Sequence, residues 1–321
     1  MNKTIAIVMG EPNSIFSEIL FKVWKKKKNK LLPIVVIGNI KLLKKQIKFF
    51  KYNIQIKKIN SSFSFSEISG NFIPVIDVKY DQNKPFQKIT SKSNKFIFRS
   101  FEIALNLIKN KKVFGLVNGP IAKETLLKEK FNGITEYLSS NLKIKGREVM
   151  LIYNPIISVS PLTTHIPIFK VAKSLNKNTI LYKVNLINNF FKRYFKKKIT
   201  IGVTGLNPHC YSTKKDNAEK KIIIPAIKIL KKKMKIFGPL SADTIFLKKN
   251  IKKFDLIIGM YHDQVLSPMK ALFEQNAINV TLGLPFLRVS PDHGVGSDIV
   301  GKKLANPISL IKCIDFFKKI K

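Results

Sequence analysis

Three of the chain's four histidines close or open short motifs beside apolar, β-rich runs. His165 ends Ser160-Pro161-Leu162-Thr163-Thr164-His165, and His209 ends Gly205-Leu206-Asn207-Pro208-His209. His262 opens His262-Asp263-Gln264 directly after the run Leu256 to Met260. Three neutral imidazoles with a fourth position open to water or substrate form a set that zinc and similar divalent metals accept in catalytic sites. Such a metal acts as a Lewis acid on a hydroxyl or carbonyl oxygen. Each histidine alone would serve equally well to cap a strand or satisfy a loop carbonyl. Their long separations, with no His-Glu-x-x-His signature, do not decide between these readings.

The segment from Gly238 to Gly301 adds further polar chemistry. Asp243, in Pro239-Leu240-Ser241-Ala242-Asp243-Thr244, could orient a metal-bound imidazole, move a proton, or simply start a helix. Lys270, Asn279 and Arg288 supply two cations and an amide suited to a phosphate and a carboxylate. Lys270 is one lysine among many. Arg288 is one of four arginines, with Arg99, Arg147 and Arg193, and lies between Gly283-Leu284-Pro285-Phe286 and Asp292-His293-Gly294. Gly296-Ser297-Asp298-Ile299-Val300-Gly301-Lys302 has P-loop spacing, but Lys303 stands where magnesium needs Ser or Thr, and residues 290–294 do not read as a strand. A nucleoside-triphosphate loop is therefore excluded. No Gly-x-Gly-x-x-Gly fingerprint occurs either, so a dinucleotide would have to bind by another route.

These residues need a scaffold, and the apolar pattern indicates one. Thr4 to Met9, Ile34 to Ile37, Phe72 to Val78, Val113 to Val117, Val149 to Tyr153, Ile199 to Thr204 and Leu256 to Met260 read as strands. Phe98 to Lys109 and Asp216 to Lys231 read as helices, the second with Asp216 and Glu219 in its first turn and Pro225 expected to kink it. Alternation of this kind predicts an α/β protein with a largely parallel sheet, in which ligands bind at the carboxyl ends of strands. No repeat and no Gly/Ser- or Pro-rich linker appears. Two lobes would therefore be joined without a flexible tether.

The 321 residues carry 59 Lys+Arg against 19 Asp+Glu, a formal charge of +40, with 45% hydrophobic residues including 24 Phe. That apolar share excludes a disordered basic tail. The basic excess is lysine, and Lys, Ile, Asn and Phe make up about half of the chain. Drift toward residues written by A- and T-rich codons explains this more simply than a selected polyanion surface. Lys25 to Lys28, Lys196 to Lys198 and Lys231 to Lys235 read as solvated faces, with no aromatic stacking platform beside them, so no specific nucleic-acid partner is expected. Cys210 and Cys313 cannot form a disulfide framework, which suits a reducing cytoplasm. Glu11 and Pro12 end the N-terminal apolar run too early for a signal peptide, and no apolar stretch approaches the ~20 residues of a membrane span.

Taken together and in order, these segments resemble the 4-hydroxythreonine-4-phosphate dehydrogenase family of pyridoxal 5'-phosphate biosynthesis. The resemblance runs from Gly10-Glu11-Pro12 to the C-terminus. It includes Gly119-Pro120-Ile121-Ala122-Lys123, Thr163-Thr164-His165, Gly205-Leu206-Asn207-Pro208-His209, Gly238-Pro239-Leu240-Ser241-Ala242-Asp243-Thr244, Met260-Tyr261-His262-Asp263-Gln264 and Asn279 through Arg288. It implies a two-lobed α/β/α fold like that of isocitrate and isopropylmalate dehydrogenases, with a cofactor-side lobe of 1–130 plus 268–321 and a metal and dimerisation lobe of 131–267. It also implies metal ligands at His165, His209 and His262, with zinc first and magnesium or cobalt as alternatives. Substrate contacts fall at Thr135, Lys270, Asn279 and Arg288, an NAD loop contains His293, Gly294 and Asp298, and Asp243 is the candidate for proton transfer. The implied enzyme is a cytoplasmic homodimer with its active site at the subunit interface, acting on a phosphorylated small molecule.

The chain departs from the family pattern in three places. Gly133-Ile134-Thr135-Glu136 has isoleucine where the family has a substrate-contacting histidine. Pro12-Asn13-Ser14-Ile15-Phe16-Ser17-Glu18 lacks two glycines of the family's Pro-Ala-Gly-Ile-Gly-Pro-Glu. Cys210-Tyr211-Ser212-Thr213-Lys214-Lys215 replaces a glycine-rich stretch. Two rival readings follow: a related dehydrogenase of another phosphorylated hydroxy acid, and a weakened relative with non-specific basic nucleic-acid binding.

Overall fold

The computed structural model describes residues 3–27, 31–127, 133–142, 144, 146–210, 217–274 and 276–320. The chain divides into two compact units, Met1–Gly146 with Leu284–Lys319, and Arg147–Gly283. The crossings expected after residues 130 and 267 each fall sixteen residues before the observed ones. Packing explains the difference. Ile134 and Leu138 of the helix Ile134–Asn141 sit in the apolar core of the first unit, whereas Val265 and Met269 of the helix His262–Phe273 sit in that of the second.

The first unit contains β1 (Ile5–Val8), β2 (Ile34–Gly38), β3 (Gln55–Ile59), β4 (Phe72–Asp77), β5 (Gly115–Asn118) and β12 (Leu287–Pro291), in the order β3-β4-β2-β1-β5-β12. Every pairing among them is parallel. Strands β1 and β2 are buried at every position, the continuous apolar pattern of a parallel sheet covered on both faces. Strand β3 is the edge and exposes Gln55, Lys57 and Lys58, charges that discourage pairing with another chain. The helix Ile40–Phe50 starts where the Asn39 side chain accepts a hydrogen bond from Leu42 N at 2.9 Å and donates to Val78 O at 2.9 Å, pinning the helix to the end of β4.

The second unit contains β6 (Val149–Tyr153), β7 (Ser158–Thr163), β8 (Thr200–Thr204), β9 (Lys235–Leu240), β10 (Leu256–Tyr261) and β11 (Ile278–Leu282), in the order β11-β6-β7-β10-β8-β9. Strand β6 runs antiparallel to both neighbours, while β7, β10, β8 and β9 are mutually parallel. The expected α/β class with mostly parallel strands therefore holds. All seven expected strands are present. The chain also forms β3, β7, β9, β11 and β12, so the Ser290-Pro291 step expected to be irregular closes a strand. Residues 297–302 that follow are turns rather than the start of a helix, in keeping with the exclusion of a P-loop.

The first expected helix begins at Asn94 and ends, as expected, at Lys109. The second is interrupted, but ahead of the proline. Glu219–Ile223 forms a π-helical turn and Ile224–Lys231 continues as α-helix, with Pro225 in its first turn where no N–H donor is required. Asp216 lies outside the described residues. Among the described residues no helix is long and apolar enough to cross a membrane.

Candidate active site

All three motif histidines belong to the second unit, and its topology gathers them. Strand β10 lies between β7 and β8 and is parallel to both. His262 directly follows β10, His165 comes two residues after β7, and His209 five residues after β8. The three imidazoles therefore sit at the carboxyl ends of adjacent parallel strands. The rings of His165 and His262 have centroids 5.7 Å apart. Two imidazoles sharing one tetrahedral zinc through bonds of about 2.0 Å would hold their centroids about 5 Å apart. The observed pair is within reach of that by side-chain rotation.

Two of the rings have their Nδ1 atoms facing carboxylates. His262 Nδ1 is 2.6 Å from Asp263 Oδ1. His209 Nδ1 is 3.6 Å from Asp243 Oδ2, an ion-pair distance, and 3.5 Å from the Ser241 hydroxyl. A carboxylate at Nδ1 fixes the tautomer that offers the Nε2 lone pair to a metal. A hydrogen bond from Ser241 holds the Asp243 carboxyl below its usual range, so it stays ionised at neutral pH. Of the roles open to Asp243, orienting His209 is the one this placement supports. The residue also lies in the first turn of the helix Ala242–Ile245. Among the described residues no three His, Cys, Asp or Glu side chains converge as a closed ligand set. The His209 side chain is 77% exposed, which leaves it room to turn. In donor chemistry and strand position, the three histidines fit a divalent metal.

His165 and His209 have φ of 52° and 53°, in the left-handed region that costs a non-glycine residue roughly 1–2 kcal/mol. Such outliers persist where surrounding structure over-determines them, commonly at functional sites. The loop leading to His209 is held by Glu219. Burial pushes the Glu219 carboxyl up, but hydrogen bonds from the Asn207 and Leu206 backbones and the Asn207 side chain, each 2.8 Å, hold it below the usual range overall. The acid that the sequence pattern places near a helix start is thus the anchor of the loop before His209. The altered stretch after His209 lies outside the described residues from Tyr211 to Lys215. Cys210 is a free, half-buried thiol, and Cys313 is free and buried.

Lys270 is exposed in the last turn of the helix His262–Phe273. Asn279, on β11, carries a buried Oδ1 with no hydrogen-bond partner among the described residues. A buried orphan acceptor at a predicted substrate contact is what a ligand donor would satisfy.

Arg288 and Thr135 meet within the first unit. Arg288 on β12 is 3% exposed, donates from Nε to Asn118 Oδ1 at 2.8 Å, and donates from Nη1 to Thr135 Oγ1 at 2.6 Å. Loss of hydration pushes its pKa down to about 10, against the opposing pull of Glu136. The guanidinium remains charged at neutral pH and would be stabilised by an anion. Asn118, which ends β5 just before the Gly119-Pro120 motif, was not marked as a site residue by the pattern of residue types. It comes into view through its hydrogen bond with Arg288 on the neighbouring strand β12. Ile134 is only 7% exposed and packs in the same core cluster as Leu138, Leu126 and Phe286. The missing histidine has therefore been replaced by core packing.

The loop carrying His293, Gly294 and Asp298 folds against the start of the helix Phe16–Lys27. Ile15 N donates to Val295 O at 3.0 Å, and the Phe16 and His293 rings lie 6.3 Å apart. Gly294 and Asp298 are exposed. Neither Ser14 nor Phe16, at the two lost glycine positions, has positive φ. Asn13 instead ties the loop down by accepting from Gln82 Nε2 and Gln87 N at 2.9 and 2.8 Å.

Comparison with known proteins identifies the family. The family model for the pyridoxal phosphate biosynthetic protein PdxA matches residues 30–317. The 4-hydroxythreonine-4-phosphate dehydrogenase of Sulfurihydrogenibium sp. (strain YO3AOP1) is 37% identical over 316 residues, covering 97% of this chain and 96% of that one. The crystal structure of 4-hydroxythreonine-4-phosphate dehydrogenase from Klebsiella pneumoniae has a TM-score of 0.83 at 28% identity and covers 98% of both chains. A beta-decarboxylating dehydrogenase from Thermococcus kodakarensis, at 11% identity and a TM-score of 0.51 over 98% of this chain and 84% of that one, shares the fold alone. With the motifs, the strand-end histidines and a match spanning nearly the whole chain in agreement, this protein belongs to the pyridoxal phosphate biosynthetic protein PdxA family.

Proposed function

We propose that this protein is a 4-hydroxythreonine-4-phosphate dehydrogenase. It oxidises the secondary alcohol of its substrate, with NAD as electron acceptor, and releases carbon dioxide to leave 3-amino-2-oxopropyl phosphate. The observation that carries this reading is the placement of His165, His262 and His209 at the ends of three adjacent parallel strands, within a chain of this family. A divalent metal held there, zinc first, supplies Lewis acidity to the reacting oxygen.

The chain's own residues do the rest. Asp263 and Asp243 hold the His262 and His209 rings so that Nε2 is presented. Arg288, supported by Asn118 and Thr135, offers a desolvated cation to an anionic group of the substrate. Lys270 adds a second cation and Asn279 an amide. His293, Gly294 and Asp298 form the loop that would take the adenosine end of NAD. Asp243 remains the candidate proton acceptor, although its lowered pKa suits it better to orienting His209. The enzyme works as a cytoplasmic homodimer with its active site at the subunit interface, a reading supported by the family membership and the free cysteines.

The burial of Ile134 favours a second reading, in which another phosphorylated hydroxy acid is the substrate. The deciding experiment measures bound metal and NADH formation for the purified protein and for His209→Ala. Substrates are 4-phosphohydroxythreonine and four-carbon hydroxy-acid phosphates. Metal and turnover of the first substrate, both lost in the variant, are expected. Turnover of only the four-carbon compounds would sink the specific assignment, and unchanged metal content in His209→Ala would sink the three-histidine site.

A further inference from the structure

The histidines can share one ion only if the three strand ends that carry them keep a fixed spacing. The paired registers do not secure this throughout. Strand β10 pairs with β7 up to Tyr261 and Thr163, but with β8 only up to Ile258 and Val203. Beyond that point the Gln264 side chain spans β10 and β8. Gln264 Nε2 donates to Gly205 O at 2.8 Å, and its Oε1 accepts from Met260 N at 2.7 Å and from Thr204 Oγ1 at 2.8 Å. On the other side, Thr163 Oγ1 donates to Met260 O at 2.8 Å. One polar chain, Gly205 to Gln264 to Met260 to Thr163, thus crosses the ends of β8, β10 and β7.

The surroundings are shaped for this amide. A Cβ at Gly259 would lie 2.5 Å from Val265 Cγ1 and 3.1 Å from Gln264 Oε1, so glycine there keeps the backbone from crowding this turn of the helix. Thr204 and Thr163 are buried, which places the chain of bonds where water competes least. Glutamine is also the side chain of matching chemistry. A carboxylate could accept from Met260 and Thr204 but could not donate to Gly205 O, and asparagine is one methylene shorter.

We propose that Gln264 is a positioning residue of the metal site, setting the separation between the strand ends that hold His209 and His262. The proposal rests on the three-histidine reading above. Its test is titration of cobalt(II) into the metal-free full chain, followed by visible absorption and chelator competition, for wild type, Gln264→Ala and Gln264→Glu. Far-UV circular dichroism and thermal melts run beside each titration. Gln264→Ala is expected to bind cobalt about 10–100-fold more weakly, with altered band positions, the range seen when groups that orient metal ligands are removed. Gln264→Glu keeps the Met260 and Thr204 bonds and loses the Gly205 bond, so an intermediate loss is expected. Should the alanine variant fail to fold, the glutamate variant carries the test.

A melt lowered by Gln264→Ala with unchanged cobalt affinity and spectrum would overturn the proposal, leaving the amide a purely structural tie. Cobalt binding lost in His209→Ala but kept in both Gln264 variants would sink this inference alone. Absence of binding in the wild type would sink the metal reading and this proposal with it.

Discussion

Replacing Ile134 with histidine restores the residue type expected at this point of the family motif, yet the structure predicts that it harms the protein. The isoleucine is 7% exposed and belongs to an apolar cluster with Leu126, Leu138 and Phe286. Losing its burial costs about 2 kcal/mol. Burying an imidazole with no partner costs about 1–3 kcal/mol more. A total of roughly 3–5 kcal/mol, at 2–4 °C per kcal/mol for a unit of this size, lowers the melting temperature by about 10 °C. The effect carries a pH signature. Burial and the adjacent helix N-terminus both disfavour the charged imidazole, so the folded-state pKa lies below the unfolded value of about 6.5. The folded variant then binds fewer protons than the unfolded chain, and stability is lost as pH falls through that value. Thermal melts of wild type and Ile134→His at pH 8 and pH 5.5 should show a gap that widens at the lower pH. A variant melting within about 2 °C of wild type at both pH values, with a lower KM for the phosphorylated substrate, would refute the reasoning by showing that residue 134 is not committed to the core.

Three further outcomes follow from named contacts. Arg288→Lys cannot reproduce donation to both Asn118 and Thr135, so about 1.5–3 kcal/mol of charge-assisted bonding is lost. KM for 4-phosphohydroxythreonine should rise roughly 10–100-fold with the fold retained, and an unchanged KM would remove Arg288 from substrate binding. Burial raises the pKa of Glu11 against the bonds from Asn13 and Ser93. A raised carboxyl pKa contributes stability at low pH that is lost as pH rises through the folded value, so Glu11→Gln should melt higher than wild type at pH 8, with a gap that closes in acid. A gap that does not vary with pH would argue against this. Binding to random duplex DNA should be detectable at low salt and lost by physiological salt, and a tight complex at about 150 mM would revive the nucleic-acid reading.

Strands with uninterrupted apolar runs were readable because a parallel sheet buries both faces of β1, β2 and β10. The five unexpected strands each break that pattern for a physical reason. Strand β3 is an edge with lysines, β7 contains Pro161 and the polar Ser158, Ser160 and Thr163, and β9 contains Gly238-Pro239. Strands β11 and β12 carry Asn279 and Arg288, whose side chains suggested chemistry before structure. The strand-end positions of His209 and His262 were visible because they depend only on local succession, whereas that of His165 rests on β7, which the apolar pattern did not mark. The roles of Asn118 and Gln264 were not visible, since each acts through a strand or loop far away in sequence: Asn118 is 170 residues from Arg288, and Gln264 is 59 from Gly205. Glu219 is only 13 residues from Leu206, but its anchoring role appears only once the loop before His209 folds back onto it. Ile134 could be seen as a departure, but only packing shows that it belongs to the core.

The large positive charge and the buried cation operate at different ranges. Lys25, Lys26, Lys196 to Lys198, Lys231 to Lys233 and Lys235 are exposed. Each contributes to a field that salt screens within about 8 Å at physiological ionic strength. Such a field can raise the encounter rate of an anionic substrate, but it does not discriminate among anions. Arg288 is withdrawn from solvent and held by two oriented acceptors, so screening scarcely reaches it and its donors point in fixed directions. Discrimination among phosphorylated acids should therefore persist at high salt while association slows. Charge spread over the surface and a directed cation inside are thus compatible, because neutralising an exposed lysine costs little selectivity whereas changing Arg288 removes a directed contact.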